Sequence, residues 1–97
     1  MAAYVIADTR ILDRELVAQY RALSAAAVAK YGGTFLVRGG AIETVEGDWS
    51  PEYIAILEFP DMERARAWYE SAEYAKALEV RAVALDRQLI FIEGVQK

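Results

Sequence analysis

The stretch QLIFIEG, residues 88–94, carries four consecutive apolar side chains, Leu89, Ile90, Phe91 and Ile92. In a β-strand, neighbouring side chains point to opposite faces of the sheet. A strand here is therefore apolar on both faces. Three other stretches share the property. In AYVIADTR (3–10), Tyr4 and Ile6 oppose Val5 and Ala7. In TFLVRGG (34–40), Phe35 and Val37 oppose Leu36, and in EYIAILEF (52–59), Ile54 and Ile56 oppose Tyr53, Ala55 and Leu57. An antiparallel sheet with one wet face alternates apolar and polar residues. These strands do not, so both faces of the sheet need cover.

Helical spacing fills the gaps between them. Asp13 is a suitable N-cap, with Leu12 and Val17 placed to form a hydrophobic staple across it. Leu16, Tyr20, Leu23, Ala27 and Tyr31 then recur on one face, and Gly32 ends the helix. AIETVE (41–46) is expected to continue the second strand past a bulge at Gly39–Gly40, before a turn at GDWSP (47–51). Pro60 closes the third strand and Asp61 caps a second helix whose inner face is Met62, Ala65, Trp68, Tyr69 and Ala72. Serine prefers caps to helix interiors, so a break at Ser71 is expected, followed by a helix with Tyr74, Leu78, Arg81 and Leu85 on one side. The order β-α-β-β-α-β predicts an α+β, ferredoxin-like fold: a four-stranded antiparallel sheet with both helical segments on one face.

Nothing in the chain remains to cover the other face. Large exposed apolar patches are rare on monomers, and a second copy is the commonest closed solution. A homodimer packed sheet to sheet is expected.

Composition narrows function by exclusion. The 97 residues fit one domain spanning 1–97. A formal net charge of −4 disfavours a nucleic-acid binder. No apolar run reaches the ~20 residues of a membrane helix, and MAAYVIADTR does not read as a signal peptide. A cytoplasmic location is the default expectation. With neither Cys nor His, thiolate chemistry is gone, and so are the commonest general base and transition-metal ligand. No metal site and no cofactor are expected.

The candidate site residues are few. Arg38, followed by Gly39 and Gly40, offers a planar fork to a carboxylate or enolate beside a bulge, or else a solvated arginine at a sheet edge. Arg81 shares a stripe with Leu78 and Leu85, so it binds an anion with Arg38, pairs with Glu58 or Glu93, or snorkels outward. Asp8, Glu58 and Glu93 lie late in apolar strands as possible proton carriers, against the plainer reading of solvated rim carboxylates. Tyr20, Tyr53 and Tyr74 are the tyrosines expected to reach a cavity, while most of the aromatic set packs the core. Trp49 covers a pocket or anchors its loop. Together Tyr20, Arg38, Gly39, Gly40, Tyr53, Tyr74 and Arg81 form the expected ligand-binding set, with Arg38, Tyr53 and Glu58 the candidates for chemistry.

The segments KYGGTFLVRGG, VEGDW, ILEFPDMERARAWYESAEYAKALEVR and LIFIEG resemble the family described as domain of unknown function 1330, in the dimeric α+β barrel superfamily. The resemblance covers nearly the whole chain. It implies the same fold and sheet-to-sheet dimer, and brings no activity with it. Related barrel families include cofactor-independent monooxygenases, muconolactone isomerases and haem-binding proteins, which is analogy at the level of fold. The functional expectation is a small-molecule pocket between helices and sheet, in an isomerase, a lyase or a cofactor-free oxygenase. The alternatives are a non-catalytic metabolite binder and a purely structural or regulatory dimer with a filled interior.

Overall fold

In the computed structural model, which describes residues 1–95, the strands are β1 (Ala3–Ile11), β2 (Thr34–Arg38), β3 (Tyr53–Phe59) and β4 (Leu85–Glu93). The helices are α1 (Arg14–Lys30), α2 (Met62–Tyr69) and α3 (Ala72–Ala84). The last two residues of the domain expected over 1–97 lie outside the described residues. Every strand pairing is antiparallel, in the order β2-β3-β1-β4, so β2 and β4 are the edges.

The caps act where the side-chain chemistry places them. Asp13 accepts hydrogen bonds from the backbone N–H groups of Glu15 and Leu16, at 3.0 and 3.2 Å. Asp61 accepts from Arg64 N at 2.7 Å. The Ser71 hydroxyl donates to Trp68 O at 2.7 Å and accepts from Tyr74 N at 3.0 Å, ending α2 and starting α3 with one group. The staple across Asp13 does not form. Leu12 is exposed, and Val17 packs instead with Ala84 and Leu85.

Register assigns each side chain a face. Val5 stands opposite Leu57 and Phe91, Ala7 opposite Ala55 and Leu89, and Thr9 opposite Tyr53 and Arg87. This set lies under the helices. The core joins it to Ala27, Val28, Ala65, Trp68, Tyr74 and Ala77. On α1 the buried residues are Val17, Ser24, Ala27 and Val28. The expected stripe of Leu16, Tyr20, Leu23 and Tyr31 flanks them half-buried, so the helix is rotated by about one position from the pattern reading. Ala72, expected inside, is exposed.

The second face carries Tyr4, Ile6, Ile54, Ile56, Ile90 and Ile92; register places Ile6 between Ile56 and Ile90, Tyr4 beside Ile92, and Ile54 beside Asp8. Ile90 and Ile92 are 55% and 48% exposed. The molecule measures 35 × 32 × 17 Å, thin enough for two layers and no third.

Two expectations need correction. The strand after Thr34 ends at Arg38, and residues 41–46 form no strand. The irregularity falls between Phe35 and Val37, not at Gly39–Gly40. It turns Phe35 toward Leu57 on the helix side and Val37 toward Ile56 on the open side, so these two do not share a face. The last strand also starts earlier than its apolar run suggests. Leu85 has extended φ/ψ of −137° and 149° and pairs with Ile11, so the chain passes from α3 to β4 with no loop between them.

Candidate functional site

That early start governs the site, because it puts Arg87 on the helix side of the sheet opposite Thr9. From there the Arg87 guanidinium reaches both Tyr20 on α1 and Tyr74 on α3. Its Nη1 donates to Tyr20 Oη at 2.6 Å and to Tyr74 Oη at 3.0 Å, and the two hydroxyls are 2.6 Å apart. The tyrosine rings meet edge to face, with centroids 6.4 Å apart.

Counting donors and acceptors fixes the direction of these bonds. Tyr74 is fully buried, and its hydroxyl meets only Arg87 and Tyr20. Arginine has no acceptor. The Tyr74 proton is therefore satisfied only if it points at the Tyr20 oxygen. Tyr20 then accepts twice, and its own O–H is free to point elsewhere. Burial, aided by the neighbouring Tyr20 oxygen, pushes the Tyr74 phenol well above its ordinary value, which keeps it a hydrogen-bond donor. For Arg87, burial works against the charge, but the two phenol oxygens outweigh it and the net shift is upward.

Tyr20 and Arg87 line a cavity of about 50 Å³ between α1 and the sheet. Ala7, Ala55, Leu57 and Leu89 form its apolar floor, and Thr9, Ser24, Tyr53 and Trp68 join the walls. By the ~10–15 Å³ that one enclosed water requires, the space holds a few waters or a small polar head. Trp68 is 1% exposed, and its indole N–H has no acceptor among the described residues. Arg21 and Arg38 also line the space, both exposed. The Arg21 guanidinium lies 5.4 Å from the Tyr53 ring centroid, and that of Arg38 lies 4.3 Å from the Phe35 centroid. Such stacking at exposed sites is worth ~0.5–1 kcal/mol. Among the described residues no carboxylate lines the cavity.

The structure brings Tyr20, Arg38 and Tyr53 of the expected set together here. Gly39 supports them indirectly. It has φ +75°, it donates to Ile54 O at 3.0 Å, and a Cβ on it would overlap the Tyr53 ring. Gly40 faces open space. Tyr74 stands behind the cavity wall rather than in it, and acts through Tyr20 and Arg87. Glu58 does not reach the cavity. It lies opposite Tyr4 on the open face, where it raises the Tyr4 phenol above its ordinary value. Arg81 is not with Arg38; it lines a different cleft, with Tyr69, Arg87, Leu89 and Phe91. Asp8 points to the open face and accepts from Trp49 Nε1 at 3.0 Å, so Trp49 anchors its loop rather than covering the cavity. Among the described residues, no three acidic side chains gather where they could hold a metal ion. Arg87 was the residue that sequence reasoning missed. Its signal was the cation that opens the expected last strand, RQLIFIEG (87–94), which is easily read as the strand's solvated start.

These features define an α+β protein of ferredoxin-like topology, with a small, donor-rich cavity between its helices and its sheet. The chain belongs to the family described as domain of unknown function (DUF1330), whose family model matches residues 2–95. Solved structures share the fold at low identity. A protein of unknown function from Rhodopseudomonas palustris is 19% identical with a TM-score of 0.79, covering 99% of this chain and 84% of that one. A dimeric ferredoxin-like protein of unknown function from Jannaschia sp. CCS1 is 12% identical with a TM-score of 0.74, covering 97% and 100%. SnoaB, a cofactor-independent oxygenase from Streptomyces nogalater, is 15% identical with a TM-score of 0.67, covering 99% and 94%. No curated protein sequence matches this chain.

Proposed function

We propose that the chain forms a two-fold homodimer through its open sheet faces, and that each protomer's cavity holds a small molecule by a carbonyl, enolate or carboxylate oxygen. The observation that carries this reading is the donor bias of the lining. The free Tyr20 O–H and the Arg87 guanidinium border one apolar space that no carboxylate of the described residues lines, and Trp68, whose buried indole N–H is unpartnered among them, joins its wall. Preformed donors in a water-poor site stabilise a developing oxyanion strongly. Arg21 and Arg38 at the same cavity favour an anion, in a chain whose net charge is −4.

The lining supports oxyanion stabilisation and proton exchange at Tyr20. It offers no carboxylate to remove a carbon-bound proton, which counts against an isomerase or lyase built on Glu58. The fold shared with a cofactor-independent oxygenase supports a cofactor-free reaction as the enzymatic form of this reading. The small cavity volume favours the alternative, a non-catalytic metabolite binder. A cytoplasmic location is part of the proposal, and the cysteine-free composition permits it.

Acetylacetone, a small enolisable diketone, is a suitable probe. It should raise the melting temperature of the wild-type protein and fail to do so in Tyr20→Phe, which keeps the ring and loses only the hydroxyl. No rise in the wild type, or an equal rise in the variant, would overturn the assignment. Oxygen uptake in the same samples separates the enzymatic form from the binding form.

A further inference from the structure

Arg87 lines a second space besides the inner cavity. Between α3 and β4, Arg81 and Arg87 border an open cleft of about 450 Å³ whose other walls are Tyr69, Leu89 and Phe91. Two cations thus share one cleft, with no acidic residue in its lining among the described residues. Among the described residues neither guanidinium pairs with a carboxylate: the ion pairs are Arg10–Asp86 and Lys30–Glu73. Arg87 uses Nη1 on the two tyrosines, which leaves the donors on Nη2 and Nε without an acceptor among the described residues. The Arg81 Nε is buried and likewise has none. Like charges that share a cleft without a counter-charge repel. An oxyanion in the cleft would supply the missing counter-charge.

We infer that this cleft is a binding site for a carboxylate carried on an aryl or alkyl body. Arg81 and Arg87 would take the carboxylate oxygens, since the guanidinium fork matches that geometry. Tyr69, Phe91 and Leu89 would pack the apolar body. The site stands apart from the inner cavity and shares only Arg87 with it. It lies on the helix side of β4, as Leu89 and Phe91 do, so it stays open in a dimer that packs the other sheet face.

Benzoate titrated into the full chain tests the inference, with the side-chain Nε–Hε signals of the arginines followed by NMR. Benzoate should shift the Arg81 signal in the wild type, benzyl alcohol at the same concentration should not, and Arg81→Met should weaken benzoate binding at least tenfold. An Arg81 signal that does not move, or equal binding of benzyl alcohol, overturns the site. So does benzoate binding that survives Arg81→Met and is lost in Tyr20→Phe, because the ligand would then lie in the inner cavity. The wild-type arginine signals decide the matter even if the variant is poorly folded. Failure of acetylacetone to bind bears on the inner cavity alone.

Discussion

Gly39 shows how one backbone position shapes the site. Its φ of +75° is a conformation that residues with a Cβ adopt at a cost of about 1–2 kcal/mol. Its missing side chain also leaves room for the Tyr53 ring, which lines the cavity. Gly39→Ala should therefore lose about 1–2 kcal/mol in urea denaturation from backbone strain alone, and displace Tyr53 as well. Gly40→Ala, with open space around it, should stay within about 0.5 kcal/mol of wild type. The pair of variants separates a strained glycine from a merely adjacent one, and equal effects would show that the site does not depend on Gly39. The sequence motif Arg38-Gly39-Gly40 singled out this turn, but it could not say which glycine faces a neighbouring ring. That depends on Tyr53, which comes from another strand.

Between elements, the α1–α3 contact has a polar clasp that local spacing did not reveal. Glu73 is three residues from Lys76 and reads as an intrahelical pair. It instead accepts from Lys30 Nζ at 2.8 Å and from the Tyr31 hydroxyl at 3.0 Å. The Lys30 hydrogen bond, then a backbone hydrogen bond and the Tyr31 bond, hold the Glu73 carboxyl below its ordinary 4.5. The same hydrogen bond raises Lys30 above its ordinary 10.5. A lowered carboxyl contributes stability above its unfolded value and loses it as pH falls through the folded one. A raised amine contributes below its unfolded value and loses it as pH rises through the folded one. The melting temperature of Glu73→Gln should lie slightly below wild type near neutral pH, and the gap should close as pH falls below about 4.5. Both groups are solvent-exposed, so the difference is small. A gap that stays constant into acid would rule the clasp out as its cause.

The whole molecule exposes 6454 Å² of surface, whereas a compact monomer of 10.8 kDa exposes ~5,500 Å² by size scaling. The excess fits a two-layer slab with an apolar face left open, together with the exposed loop between β2 and β3. A sheet-to-sheet dimer burying ~2,000 Å² in total would remove it, and would leave the cavity and the outer cleft on the far side of each sheet. Light scattering should give twice the chain mass of 10.8 kDa at micromolar concentration. Ile90→Asp, on the open face of the edge strand β4 beside Ile6, should shift the protein toward the single-chain mass while leaving its circular dichroism intact. A wild-type mass of one chain removes the dimer.

Periodicity and cap chemistry were enough for the number and order of the strands, though not for all their limits, for the helix starts at Asp13, Asp61 and Ser71, and for the two-sided apolar sheet. All of these rest on residues close in sequence, where side-chain direction and hydrogen-bonding reach follow from local geometry. The site was only partly legible. Tyr20, Arg38 and Tyr53 stood out as chemistry-bearing residues, whereas Arg87 did not, and Glu58 and Arg81 were grouped with the wrong neighbours. The face that a strand residue occupies depends on register. Register was set here by Leu85 pairing with Ile11 and by the irregularity at Leu36, contacts between residues far apart in the chain. A shift of one position moves a side chain through the sheet. The pattern of residues therefore determined which elements form, and only their pairing in three dimensions decided that Arg87 would meet Tyr20 and Tyr74 beneath the helices.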